Sequence, residues 1–125
     1  MRRKSLRNQP KYSFFKNTSY ALKGLKDVIK NETSFKIELI IAIVLLPIIV
    51  FIDLTLVNKL LMFITLMLML LCEVINSAIE RVVDLVTLEH HAMAGRAKDV
   101  GSAIVFISIF IFCITWGSIL YNRFF

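Results

Sequence analysis

Four polar side chains recur at helical spacing in the middle of the sequence, and their types suit acid–base and phosphate chemistry. Glu73, Asn76, Glu80 and Asp84 lie within twelve residues. With about 100° between successive helical residues, Glu80 and Asp84 each fall about 20° from Glu73, and Asn76 falls about 60° away. The four groups therefore share one helical face. They follow an uncharged run, residues 60–72, so Glu73 is expected at the edge of a bilayer or within it, where an ionisable group is by default a functional candidate.

The oxygen atoms on this face suit cation binding and proton transfer. Carboxylate and amide oxygens bind Mg²⁺ and leave room for phosphate oxygens, and a carboxylate at the membrane edge can accept a proton from a lipid hydroxyl. Glu32 precedes the first long apolar run, and Lys98 and Asp99 precede the last. A three-helix topology brings all these groups to one membrane surface. Positioning and charge neutralisation of this kind are the main requirements of phosphoryl transfer.

A structural interpretation competes with this one, because the acids can also pair with Arg81, Arg96 and Lys98 to hold a helical bundle together. The number of acceptors on one face favours a cation site over pairing alone. His90 and His91 are adjacent and lack the HExxH spacing, so a solvated loop position suits them as well as a functional one. The sequence has no Walker loop, GxGxxG, HRD or DFG motif, so any use of ATP lies outside the common kinase folds.

The composition indicates an all-α integral membrane protein that positions these residues. The chain has 125 residues, 58% of them hydrophobic, and its mean hydropathy of +0.75 exceeds that of ordinary soluble domains. Apolar runs predict transmembrane helices over about residues 35–52, 56–88 and 99–121, the second with a cytoplasmic extension. Residues 87–99 are predicted to form a polar loop. Trp116 and Tyr121 are expected at the far interface of the last helix.

The N-terminal part is predicted to lie on the membrane rather than in it. Residues 1–11 form a basic tail, and residues 12–125 form a single membrane domain. Over residues 12–31, apolar side chains and lysines lie mostly on opposite sides of a helix. This pattern is typical of an amphipathic helix in the headgroup layer, and the alternative is a helix packed on a soluble core.

The distribution of basic residues predicts the orientation of the chain. Ten of the fifteen Lys and Arg residues precede residue 37, within a net charge of +6. The positive-inside rule then puts the N-terminus and residues 73–99 at the cytoplasmic face and the C-terminus on the opposite side. The basic residues are expected to interact with the membrane surface, and no nucleic-acid partner is expected.

Three sequence segments together resemble a known family. They are Asn31-Glu32, the E-x-x-N-S-A-I-E-x-x-x-D pattern over 73–84, and G-R-A-K-D-x-G-S-A over 95–103. Over residues 12–125 the chain resembles the small bacterial integral-membrane diacylglycerol kinase family. The resemblance implies a surface helix plus three transmembrane helices, a homotrimer with composite sites, and a location in the bacterial inner membrane. It also implies transfer of the ATP γ-phosphoryl group to the hydroxyl of 1,2-diacylglycerol, which gives phosphatidic acid.

By position, the resemblance also implies roles for individual residues. Glu73 is implied as the catalytic base, and Glu32 and Glu80 as ligands of the Mg²⁺ held with ATP. The implied ATP-binding residues are Tyr20, Glu32, Asn76, Glu80, Asp84, Glu89, His90, His91, Lys98 and Asp99. Those implied to flank the lipid are Ser13, Lys16, Glu73 and Ser102. The family often has an arginine where this chain has Ser13, and Lys11 and Lys16 are the candidates to replace its charge.

Two other functions remain open. Undecaprenol kinases resemble the same pattern but commonly carry alanines where this chain has Gly101-Ser102, which favours diacylglycerol. A non-enzymatic oligomeric membrane subunit, whose acids line a pore or lock an interface, is the alternative from another class. Lys98-Asp99 beside the acidic face favours the enzyme, because a pore has no need of a phosphate-facing pair.

Overall fold

The chain is all-helical, as predicted. A computed structural model describes residues 11–125. Its helices are α1 (Phe14–Asn31), α2 (Thr33–Phe51), α3 (Leu56–Val86) and α4 (Ala92–Phe124). Three of them, α2, α3 and α4, are long and apolar enough to cross a membrane, which confirms the predicted number of spans. Apart from Lys11, the predicted basic tail lies outside the described residues.

Glu32 forms the junction between the first two helices. It adopts an extended conformation with φ −110° and ψ 109°, and its N–H donates to the Val28 carbonyl at 2.9 Å. The same residue is the N-cap of α2. A one-residue break thus holds the Glu32 side chain at the end of α1, beside the start of the first membrane-spanning helix.

The opposite end of the bundle is held by contacts among the helix ends. Thr55 caps α3 by accepting from the Asn58 N–H at 3.2 Å, as N-cap threonines commonly do. The Lys59 ammonium donates to the Val50 carbonyl at 2.9 Å, and the Arg123 guanidinium pairs with Asp53 at 2.6 Å. These contacts connect the end of α2 to the start of α3, and the end of α4 to the link between them.

The α3–α4 contact contains the tryptophan that the sequence assigned to the interface. The predicted position of Trp116 at the far membrane interface stays a prediction; within the bundle the residue is buried, with 8% of its surface exposed. Its indole N–H lies 3.2 Å from the Met62 carbonyl and 3.1 Å from the Thr65 hydroxyl, and its ring packs against Phe112. The two oxygen atoms on α3 satisfy the N–H of the buried indole. Tyr121, by contrast, is exposed.

The predicted loop over residues 87–99 is too long. α3 ends at Val86, and α4 begins at Ala92, seven residues before the predicted start of the third span. His91 is the N-cap of α4, and its imidazole Nδ1 accepts from the Met93 N–H at 3.1 Å. The following residues are mostly strong helix formers, and a helix does not have to end where the bilayer does. Lys98 and Asp99 therefore lie within a helix that runs beside the last turns of α3.

Candidate active site

The centre of the candidate site is a buried carboxylate on α3. Glu73 is 6% exposed, and its Oε2 atom has no hydrogen-bond partner among residues 11–125. Glu38 on α2 also has a buried Oε2 without a partner in the described chain, and it lies within electrostatic range of Glu73. A buried acid without a partner is unfavourable in an apolar interior. The presence of Glu73 and Glu38 there therefore points to function rather than to packing.

One turn further along α3, the side chains of Asn76 and Glu80 form a second part of the site. The Asn76 amide donates to Glu80 Oε1 at 3.3 Å, which is the contact expected of residues four apart in a helix. Glu80 and Glu32 both lie within electrostatic range of Glu73. The structure thus brings together four residues that the sequence proposed for the site: Glu32, Glu73, Asn76 and Glu80.

Arg81 links α3 to α1 through two carboxylates. Its guanidinium lies 2.7 Å from Asp27 and 3.3 Å from Glu32. Asp27 also accepts a hydrogen bond from the Asn31 amide. The Asn31 amide and the Arg81 guanidinium hold the pKa of the Asp27 carboxyl below its ordinary value of 3.8, because both stabilise the ionised form. This link fixes the Glu32 side chain beside the polar end of α3.

A cleft lies where α3 ends and α4 begins. Its volume is about 220 Å³. Lys98 on α4 crosses it to pair with Asp84 on α3 at 2.7 Å. The cleft collects five of the residues predicted to bind ATP, namely Asp84, Glu89, His90, His91 and Lys98. Its ionisable lining is one ammonium group, two carboxylates and two imidazoles at the polar end of the bundle.

The remaining predicted residues lie elsewhere. Asp99 and Ser102 are exposed on α4, and Asp99 is about 100° around the helix from Lys98. Ser13 caps α1 by accepting from the Lys16 N–H at 3.4 Å, and the Lys23 ammonium lies 5.9 Å from the centre of the exposed Tyr20 ring. None of these residues is joined to Glu73 by a hydrogen bond or ion pair within residues 11–125.

The competing structural interpretation of the acids is partly correct. Glu32 and Asp84 form ion pairs with Arg81 and Lys98. Glu73 and Glu80 form no ion pair in the part of the chain that the structure describes. The acids of this surface therefore divide into a paired set, whose ion pairs hold helices together, and an unpaired set. In the described chain Glu32 pairs through Oε1 alone.

Two carboxylates fit the magnesium role that the sequence suggested. Among the described residues, no three His, Cys, Asp or Glu side chains converge to hold a metal ion by themselves. Mg²⁺ is commonly bound by one or two carboxylates together with substrate phosphates and water. Glu32 and Glu80 supply hard oxygen donors beside Glu73, so they fit a metal that arrives with a phosphate ligand.

Sequence analysis missed Asp27 and Glu38 as members of this region. Asp27 lies in the helix that was interpreted as a membrane-surface element, and its ion pair with Arg81 spans 54 positions. The sequence predicts that Glu38 enters the first apolar span and either snorkels or faces a partner, but it gives Glu38 no place in the site. Its proximity to Glu73 is set by the packing of α2 against α3, and residue spacing carries no signal of that packing.

Comparisons with known proteins agree with this geometry. The family model described as prokaryotic diacylglycerol kinase matches residues 19–120. A diacylglycerol kinase of Haemophilus influenzae is 45% identical over 105 residues, 84% of this chain and 89% of the relative. A diacylglycerol kinase of Escherichia coli is 38% identical over 87% of this chain and 89% of the relative. An undecaprenol kinase of Bacillus subtilis is 31% identical over 81% and 82%.

These relatives are bacterial, and three helices of this chain can span a membrane, which together indicate a bacterial membrane protein. The matched region contains Glu32, the polar face of α3 and the start of α4. The chain therefore belongs to the prokaryotic diacylglycerol kinase family and is a kinase.

Proposed function

We propose that this protein transfers the γ-phosphoryl group of ATP to the hydroxyl of 1,2-diacylglycerol and forms phosphatidic acid. The observation that carries the proposal is the buried carboxylate of Glu73, whose Oε2 has no partner among residues 11–125, at the boundary between the apolar and polar parts of α3. A membrane alcohol reaches such a position from the bilayer, and a nucleotide reaches it from the water. The relatives named diacylglycerol kinase, up to 45% identical, support diacylglycerol as the alcohol.

In this reaction Glu73 accepts the proton of the lipid hydroxyl. The hydroxyl oxygen forms a bond to the γ-phosphorus while the bond from that phosphorus to the bridging oxygen breaks, and ADP leaves. Lys98 and the polar groups of the cleft bind and orient the triphosphate. Asn76 holds the Glu80 carboxylate through its amide N–H. The burial of Glu73 excludes water from the proton-accepting oxygen.

Mg²⁺ would be held by Glu32 and Glu80 together with phosphate oxygens. When bound, the ion neutralises the charge of the triphosphate and helps to align it for transfer. Arg81 keeps Glu32 at the junction of α1 and α2, beside α3. This ion pair and the Asn76 hydrogen bond support the assignment, because both orient carboxylates that would otherwise rotate freely.

The surrounding membrane assembly is part of the same proposal. α1 is an amphipathic helix at the cytoplasmic surface of the inner membrane, and the N-terminus and the site face the cytoplasm. The C-terminus lies on the opposite side. The working enzyme is a homotrimer with composite sites, in which residues on α1 and α4 that lie apart from Glu73 in one chain, namely Ser13, Lys16, Tyr20, Asp99 and Ser102, approach the substrates.

The first experiment measures Mg-ATP consumption by the purified protein in detergent, with and without a lipid alcohol, for the wild type and for Glu73→Gln. We expect turnover only with the alcohol, and a loss of at least about 100-fold in kcat for Glu73→Gln, since general base catalysis contributes that much. Assembly and nucleotide binding should persist. Asp53→Asn, the same type of change at the other end of the bundle, is the matched control. Unchanged turnover in Glu73→Gln would contradict the proposed base.

A second measurement separates the two candidate lipids. Because an undecaprenol kinase of Bacillus subtilis is 31% identical to this chain, phosphorylation of undecaprenol is the alternative function. Dioleoylglycerol and undecaprenol are presented side by side in matched micelles, and kcat/KM is compared. A higher value for dioleoylglycerol supports the proposal, and a higher value for undecaprenol replaces it. Absence of ATP consumption with either alcohol would instead favour a non-enzymatic membrane subunit.

A further inference from the structure

Glu38 has a buried carboxylate oxygen to which the proposed reaction gives no role. The buried residues of α2 are Phe35, Ala42 and Ile49, and they belong to the core cluster formed with α3. At about 100° per residue, Glu38 falls within about 60° of all three, so it lies on the face that packs against α3. Its Oε2 has no hydrogen-bond partner among residues 11–125. The residue as a whole is half-buried, so part of it can be reached from the surrounding lipid.

Glu38 lies deeper in the bundle than Glu73. It is 13 positions before Phe51, the end of α2, whereas Glu73 is 17 positions after Leu56, the start of α3. At about 1.5 Å per residue, Glu73 is therefore about 6 Å further from the α2–α3 link than Glu38. A lipid whose hydroxyl lies at Glu73 thus places the next part of its headgroup, towards the acyl chains, at the level of Glu38.

The neutral carboxyl is the form of Glu38 that suits this position. Glu38 forms no ion pair within residues 11–125, and the nearby acid Glu73 repels a second negative charge. An unpaired charge is far more costly to bury in an apolar interior than a neutral polar group. Glu73 lies nearer the polar end of the bundle and is the acid that the proposed reaction needs ionised. Glu38 therefore holds a proton, and its O–H is a hydrogen-bond donor.

We infer that Glu38 is a specificity-determining residue, which donates its O–H to an ester carbonyl of diacylglycerol while the lipid hydroxyl lies at Glu73. The inference rests on the proposed function, because it requires the alcohol to bind at Glu73. The ester carbonyls of diacylglycerol lie a few bonds from the free hydroxyl, on the side of the acyl chains, which matches the offset between the two acids. Undecaprenol has a hydroxyl but no ester. Its binding would leave the donor of Glu38 unpaired, and an unpaired buried donor is unfavourable.

The test compares two alcohols that differ only in the ester carbonyls. They are 1,2-dioleoylglycerol and its diether analogue, in which a CH2 group replaces each carbonyl, and kcat/KM for each is measured in matched detergent micelles. The wild type should prefer the ester by about tenfold, since the diether leaves a buried donor without its partner. Glu38→Leu should bring the two values within about twofold of each other. The KM for Mg-ATP should stay the same.

Two further variants separate hydrogen bonding from a disturbance of α2. Glu38→Gln keeps a donor at the same place and should retain most of the preference for the ester. Lys36→Leu removes the neighbouring charge from the exposed opposite side of α2 and should leave the preference unchanged. Leucine is favourable in a membrane-spanning helix, so Glu38→Leu is expected to fold. The ratio of the two kcat/KM values also does not depend on the fraction of active protein.

The failure of this inference differs from the failure of the proposed function. A wild type that consumes no ATP with either glycerolipid refutes the proposed function and the inference with it. A wild type that uses both lipids equally well refutes only the inference. An ester preference that Glu38→Leu retains, that Glu38→Gln loses as fully as Glu38→Leu, or that Lys36→Leu also abolishes would equally overturn the role of Glu38 as the donor.

Discussion

At the scale of single residues, neighbouring acids on one face of α3 have different surroundings. Glu73 is buried without a partner in the described chain, Glu80 accepts from Asn76, and Asp84 pairs with Lys98. The 3.6-residue period of the sequence was enough to predict that they share a face. The partner of Asp84 comes from α4, and which residue of another helix meets an acid depends on packing that the period does not describe.

At this scale we predict the effect of replacing Lys98 on the KM for Mg-ATP. Its ammonium lines the cleft and lies 2.7 Å from Asp84. Lys98→Met removes the charge while keeping a side chain of similar length. We expect the KM for Mg-ATP to rise about tenfold or more, since charge-assisted contacts to phosphate are among the strongest hydrogen bonds. The KM for the lipid should change little. Initial rates at varied ATP and fixed lipid give the comparison.

Lys59→Met is the matched control for this prediction, because Lys59 donates to a backbone carbonyl at the opposite end of the bundle. It should leave the KM for ATP within about twofold of the wild type. A rise in the lipid KM that equals the rise in the ATP KM would contradict a nucleotide role for Lys98 and indicate a general disturbance of the site.

At the scale of elements, the lengths of the helices determine which residues meet. Hydropathy was enough to predict three spans, because each contains a long uncharged apolar run, over residues 39–52, 60–72 and 100–120. It did not reveal that α4 starts at Ala92, since polar residues outside the bilayer carry no hydropathy signal. The helical extension matters because it places Lys98 alongside the last turns of α3, where it reaches Asp84.

At this scale we predict that the attachment of α1 to α3, followed by amide hydrogen exchange in α1, depends on pH. Asp27 accepts from Asn31 and pairs with Arg81, and these contacts lower the pKa of its carboxyl below 3.8. A lowered pKa means that the contacts stabilise the folded form above the ordinary pKa and that this stabilisation is lost as pH falls through the lower, folded value. Asp27→Asn should therefore speed amide hydrogen exchange in α1 at pH 7, by severalfold at most because the pair is exposed.

The difference between wild type and Asp27→Asn should shrink as the pH falls from about 3.8 through the lower pKa of the folded carboxyl, where the wild-type group also becomes neutral. Asp53→Asn, which removes the exposed Arg123 pair at the other end, should leave exchange in α1 unchanged. An exchange difference that persists unchanged at the lowest pH would show that charge at Asp27 does not hold α1.

At the scale of the whole molecule, charge is distributed unequally between the two ends of the bundle. The end with Glu32, Arg81 and Lys98 carries the candidate site. The other end has the hydrogen bond from Lys59 to a backbone carbonyl and the ion pair of Arg123 with Asp53. The sequence alone predicts this asymmetry, because basic residues are counted without knowledge of packing. The side of the membrane that each end faces is a property of the cell, and it requires a measurement in cells.

The orientation can be tested by labelling single cysteines from one side of the membrane. The native Cys72 and Cys113 are first replaced by alanine, and a cysteine is then introduced at Leu88, which is exposed between α3 and α4, or at Asn122, which is exposed near the C-terminus. In intact cells whose outer membrane has been opened, a membrane-impermeant maleimide should label Asn122→Cys and should label Leu88→Cys only after the inner membrane is permeabilised. The positive-inside rule requires this order because the basic N-terminal segment remains in the cytoplasm. The reverse order would place the candidate site outside, away from cytoplasmic ATP, and would exclude the proposed reaction.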